Sequence, residues 1–149
     1  MPALKRFACL ALLPLPLLFA TGCIGCKTRG QAPVEFRDGK PIDEERTVYE
    51  TSAAFGEYLH FPPGRTYDLI HGLVNTPHVI DSYIAFKRVI EQGDEGQTGN
   101  YAEGAGNLMV VECQDMERVR VRNDSCADLY LRVVLEASPE STQADRPCP

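Results

Sequence analysis

From about residue 47 onward the chain alternates short apolar runs with turn formers, and within the clearest runs the apolar period is two. Val119 and Val121 interleave with Arg118, Arg120 and Arg122, while Leu129, Leu131, Val133 and Leu135 interleave with Tyr130, Arg132, Val134 and Glu136. Successive side chains of a β-strand point to opposite faces, so the pattern predicts strands with one face toward a core and the other toward water. The same reading gives strands over Thr47 to Thr51, Phe55 to Phe61, Arg65 to His71, His78 to Ile90, Asn107 to Cys113, Glu117 to Asn123 and Asp128 to Glu136. Pro62-Pro63-Gly64, Asn75-Thr76-Pro77 and Asn123-Asp124-Ser125 supply the turns between them. Tyr83 to Ile90 is the one stretch with amphipathic helical spacing, and its β-branched content favours strand. The expected fold is all-β, a single antiparallel sandwich or barrel over residues 47 to 136.

Outside those strands the pattern changes in three places. Residues 23 to 46 are polar, carry Gly30, Pro33, Gly39 and Pro41, and read as a flexible linker. Glu91 to Gly106 holds five glycines and reads as a long loop, functional or disordered. Residues 137 to 149 have little apolar content to bury and read as a disordered tail.

The first 22 residues have a different texture again. Lys5 and Arg6 precede an apolar run from Phe7 to Ala20, followed by Thr21, Gly22 and Cys23. A bilayer-crossing helix needs about 20 apolar residues, and Pro14 and Pro16 interrupt this shorter run, so the layout is that of an export signal. Ala20-Thr21-Gly22-Cys23 resembles the lipobox of bacterial lipoproteins, in which a peptidase cuts before a diacylated cysteine. Ala20 departs from the usual leucine, and Cys26 is the second choice for the anchor. The resemblance implies a lipid anchor at Cys23 and residence in the cell envelope. Ile24, where an aspartate would stand in an inner-membrane protein, resembles the sorting residue of outer-membrane lipoproteins, facing the periplasm or the cell surface. Cys23 and Cys26 also form a C-x-x-C, but no second pair follows and no strand precedes it, so redox and zinc readings are disfavoured.

Size and charge narrow the class. A chain of 149 residues has room for one core, and 44% apolar with 24% charged residues is an ordinary globular composition. All 21 acidic residues follow Cys26 against 13 basic ones, a net charge of −8, which disfavours a nucleic-acid partner.

With Cys23 acylated and Cys9 removed, Cys26, Cys113, Cys126 and Cys148 remain, and an oxidising compartment favours two disulfides. If Asn107 to Cys113 and Glu117 to Asn123 form a hairpin, Cys113 lies near its turn. Cys126 then lies beyond the far end, roughly 20 Å away at about 3.3 Å per residue, well outside the roughly 4.4 to 6.8 Å a disulfide spans between Cα atoms. That favours Cys113 with Cys148 and leaves Cys26 for Cys126.

Candidate chemistry is sparse. The row Arg118, Arg120 and Arg122, with Arg132 and Tyr130 expected on the neighbouring strand's outward face, offers forks for phosphates or carboxylates and a ring for a sugar. Its functional reading is a surface for an anionic envelope polymer or protein partner; its structural reading is a solvated face balanced by acids. His60, His71 and His78 are the only histidines and lack helical zinc spacing, so metal ligation or a small secreted or envelope enzyme built on them is the alternative to a non-enzymatic binding or structural domain. Asp68, His71 and Ser82 supply triad residue types without a G-x-S-x-G elbow, and no catalytic residue, metal or cofactor is assigned. Tyr67 through Pro77 resembles the H-G-L-x-x-x-P turn of phage tail-fibre and lectin-like β-sandwich modules, which implies a sandwich used for adhesion or scaffolding.

Overall fold

The computed structural model describes residues 28, 30–93, 102–103, 108–140 and 146–149. The leader, Cys9, Cys23 and Cys26 lie outside the described residues, as does most of the glycine-rich segment. Twelve strands follow in chain order: β1 Val34–Phe36, β2 Lys40–Pro41, β3 Val48–Glu50, β4 Gly56–Glu57, β5 Leu59–Phe61 and β6 Thr66–Ile70, then β7 Val79–Ala85, β8 Val89–Ile90, β9 Ala102–Glu103, β10 Met109–Gln114, β11 Arg118–Asn123 and β12 Leu129–Glu136. The described residues contain no helix, and no sheet closes into a barrel, so the fold is all-β and sandwich-like.

One sheet has the order β1-β6-β11-β10, and the other β2-β3-β12-β7-β9. β12 is the spine of the second sheet. β7 pairs along one flank, from Tyr130↔Ala85 to Glu136↔Val79, while β5 and β3 share the other flank in series. Thr51 bridges the gap between β3 and β5: its N–H donates to the Val133 carbonyl at 3.0 Å and its hydroxyl accepts the Val133 N–H at 2.9 Å.

The core forms where the period-two faces meet. Leu69, Val119 and Val121 from the first sheet pack with Tyr49, Phe61, Ile84, Leu129, Leu131, Val133 and Leu135 from the second. Fully burying each leucine or valine contributes about 1.5 to 3 kcal/mol, and the alternation in β11 and β12 is what lets one strand face do this. Asn123 is also fully buried there. Its amide donates to the carbonyls of Phe61 at 2.7 Å and Ala127 at 3.0 Å, while its oxygen accepts from the Ser125 N–H, fixing the Asn123-Asp124-Ser125 turn.

Four differences from the sequence reading have physical causes. The stretch read as a linker contributes β1, which pairs in parallel with β6, and β2, which pairs with β3. Phe36 packs against the core, and the β2–β3 connection is closed by Asp43, whose carboxylate accepts the N–H groups of Thr47 and Val48 and the Thr47 hydroxyl. The Thr47 hydroxyl, with help from the Val48 N–H, holds the Asp43 carboxyl down at about 2. The run His78 to Ile90 is broken after Ala85, because β7 follows β12 while β8 turns off to pair with β4 in a separate two-stranded sheet. Finally, Arg146–Pro149 of the tail is fastened to β10, as described next; β9, inside the glycine-rich segment, pairs with β7.

Candidate functional site

The arginine row lies on the outer face of the first sheet, where β11 is flanked by β6 and β10. Register places Arg120 opposite Asp68, Arg118 opposite Ile70 and Arg122 opposite Thr66. Asp68 is 4% exposed and takes Arg120 on both carboxylate oxygens, at 2.6 and 3.0 Å, with Arg118 at 3.3 Å. Arg122 donates to Glu112 at 2.6 Å and also to Asp124. The hydrogen bond to Asp68 raises the Arg120 pKa, and that to Glu112 raises the Arg122 pKa, both against the opposing effect of burial. Each guanidinium of the row therefore already has a carboxylate.

Arg132 and Tyr130 do not join this face. They belong to β12 in the other sheet, so the expected patch of Arg118, Arg120, Arg122, Arg132 and Tyr130 divides in two. Arg132 is 7% exposed, donates to Glu50 at 2.6 Å and to the Ser52 carbonyl, and lies over the Tyr83 ring at 4.9 Å. Tyr130 stacks near His60 at 5.4 Å between ring centroids.

A C-terminal strap crosses the arginine face. Cys113 is bonded to Cys148, with Cα atoms 5.1 Å apart. Gln114 and Arg146 exchange two backbone hydrogen bonds of 3.0 and 3.1 Å, the Cys148 N–H donates to Asp115, and Arg120 donates to the Pro149 carbonyl at 3.3 Å. The hairpin that predicted this pairing is present, with Met109 opposite Asn123 and Gln114 opposite Val119 around an irregularity between Val111 and Cys113. Cys126 is exposed in the turn before β12; its expected partner Cys26 is outside the described residues.

The histidines do not converge. His71 is 1% exposed; its Nε2 faces the Asp115 carbonyl at 3.1 Å and its Nδ1 accepts the Leu73 N–H at 3.0 Å. Burial pushes its pKa below the ordinary imidazole value, against the opposing effect of the hydrogen bond it donates to the Asp115 carbonyl. His60 is exposed and pairs with Asp128 at 2.7 Å, and His78 is exposed at the start of β7. Asp68 is committed to arginines and Ser82 lies in the other sheet, so the triad types are not brought together. Among the described residues no cluster of three metal-ligating side chains occurs.

Among the described residues, two concave features lie beside the β1–β2 turn. One basin, of about 340 Å³, is lined by Phe36, Asp38, Thr51, Glu57, Leu59, His60 and Arg88. A second, of about 210 Å³, shares Asp38 and Thr51 and adds Lys40, Ile42, Glu50, Ser52 and Ala53. Comparison of the chain with protein-family models, with curated proteins and with solved structures finds no match. The groove must therefore be read from its own residues.

Sequence reasoning missed this groove because its walls come from Phe36 to Ile42, from Glu50 to His60 and from Arg88. Its first wall lies in the polar stretch read as a linker. Only the apolar residues Val34 and Phe36, two positions apart, hinted at a strand there, and three residues are too few for a period to register.

Proposed function

We propose that the chain is a lipid-anchored protein of the cell envelope whose β-domain binds or scaffolds and does not catalyse. The observation that carries the compartment is the Cys113–Cys148 disulfide, since such bonds persist in oxidising surroundings outside the cytoplasm. It agrees with the leader pattern of Lys5, Arg6, an apolar run and then Cys23. Two acyl chains on Cys23 would make a stable anchor, whereas one is marginal.

The arginine row supports a structural role more than a polyanion-binding one. Arg118 and Arg120 share Asp68, and Arg122 holds Glu112 and Asp124, so an incoming anion would have to displace carboxylates that are already in place. Mass spectrometry of the full chain purified from membranes of a two-membrane bacterium tests the anchor. The expected product begins at residue 23 and carries a diacylglyceryl group there. Cys23→Ser should abolish acylation and Cys26→Ser should not. An intact leader, or an unmodified Cys23, overturns the reading; acylation at Cys26 moves the anchor.

A further inference from the structure

The two basins adjoin along the β1–β2 turn, with Asp38 and Thr51 in the walls of both, and are treated together as one groove. The larger is inside the range of about 300 to 1,000 Å³ typical of small-ligand sites, and the smaller extends it.

Charge decides what the groove does not take. Of the charged groups lining it, Glu57 pairs with Arg88, Glu50 pairs with Arg132 and His60 pairs with Asp128. Asp38 and Lys40 have no ion-pair partner among the described residues, but they carry opposite charges two positions apart. Both signs are thus interspersed along the whole groove. A polyanion meets Asp38, Glu50 and Glu57, and a polycation meets Lys40 and Arg88, so neither gains from the field.

Hydrogen-bonding capacity and an apolar lining decide what it does take. A paired carboxylate keeps lone pairs to spare, and a guanidinium with one partner keeps spare N–H groups. Asp38 and Lys40, exposed and without an ion-pair partner among the described residues, add an acceptor and a donor. Between these polar groups lie the apolar surfaces of Phe36 and Leu59 in the larger basin, and of Ile42 and Ala53 in the smaller. The matching ligand is uncharged, carries hydroxyls that both donate and accept, and has a compact C–H face to lay on apolar carbon.

We propose that this groove is a binding site for a short neutral saccharide, held by Asp38, Lys40 and Glu57 above Phe36 and Leu59. The site goes beyond the proposed address and does not depend on it, since no groove residue belongs to the leader.

The test is titration calorimetry of the full chain with maltose, cellobiose, lactose and N,N′-diacetylchitobiose, repeated with Asp38→Ala, Lys40→Ala and, as a control away from the groove, Glu117→Ala. All three positions are exposed, so the variants keep the fold, which circular dichroism checks. At least one disaccharide should bind. Asp38→Ala and Lys40→Ala should each weaken it about 10-fold, the scale of one hydrogen bond to a charged group, and Glu117→Ala should not. The proposal is overturned if no disaccharide binds at millimolar concentration, if binding ignores both groove variants, or if a heparin fragment competes for the site. Cys23→Ser should bind the sugar as the parent does, which separates this result from the fate of the anchor.

Discussion

Gly39 packs against the phenol oxygen of Tyr49, so closely that a methyl group at position 39 would stand 2.2 Å from it. Tyr49 is fully buried and cannot retreat, and its hydroxyl has no hydrogen-bond partner among the described residues. Burial, with the nearby Asp38 charge, pushes its pKa up, so the group is a neutral phenol wedged beneath the β1–β2 turn.

Gly39→Ala should therefore destabilise the protein by about 1 to 3 kcal/mol, the cost of overpacking a filled site. Tyr49→Phe removes the colliding oxygen together with a buried polar atom that is unsatisfied, and should be close to neutral. In the double variant the Gly39→Ala cost should fall only in part, because the ring carbons Cζ and Cε2 remain within clashing distance of the new methyl. Urea unfolding of the four proteins closes the cycle, and an unchanged alanine penalty in the phenylalanine background would show that the oxygen is not the obstacle.

Asp68 and Glu112 both hold arginines of β11, but in different surroundings. The Asp68 side chain is 5% exposed and serves two guanidinium groups, whereas that of Glu112 is 35% exposed and serves one. Asp68→Asn should cost about 3 kcal/mol, because it leaves Arg120 and Arg118 largely buried without their counter-charge. Glu112→Gln should cost less than about 1 kcal/mol, and that loss should shrink in high salt. Equal losses in thermal unfolding would mean that burial does not set the strength of this ladder.

These contrasts mark the limit of what was legible in the sequence. The alternation of Val119 and Val121 with three arginines fixes which way β11 faces, and the spacing of Cys113 from Cys126 selects Cys148 as the partner. Period two says only inward or outward, though, never which sheet a strand joins. The pattern therefore does not show that Tyr130 and Arg132 belong to the other sheet, and the burial of Arg132 depends on Glu50, 82 residues away. β1 and the groove beside it were invisible for a related reason: a three-residue strand in a polar stretch is held by its partner β6 and by Phe36 reaching the core, neither of which leaves a local pattern.

The strap gives a third expectation. Cys113 and Cys148 are 35 residues apart, and closing a loop of that length stabilises by about 4 kcal/mol through the entropy of the unfolded chain. Cys148→Ser should lower the melting temperature accordingly. It should also speed amide exchange at Gln114 and Arg146, whose paired hydrogen bonds the disulfide holds in place. Fast exchange at those two amides in the disulfide-bonded parent would show that the tail is not docked.

Acid should act on the fold in two separate windows. His71 uses both ring nitrogens as a neutral imidazole, with Nε2–H donating to the Asp115 carbonyl and Nδ1 accepting from Leu73, and burial holds its pKa below 6.5. Below pH 6.5 the unfolded chain takes a proton on this histidine that the folded chain refuses. Stability from His71 is therefore complete above pH 6.5 and declines as the pH falls toward the folded value. Asp43 acts lower: its carboxyl is held down from 3.8 to about 2, so its contribution is complete above pH 3.8 and is lost as the pH falls through about 2. Thermal denaturation from pH 8 to pH 4.5 isolates the first window. The parent should lose melting temperature below pH 6.5, while His71→Gln, which can still donate to Asp115, should start lower and lose less across the same range. Parallel curves for the two proteins would remove His71 as the source of the slope.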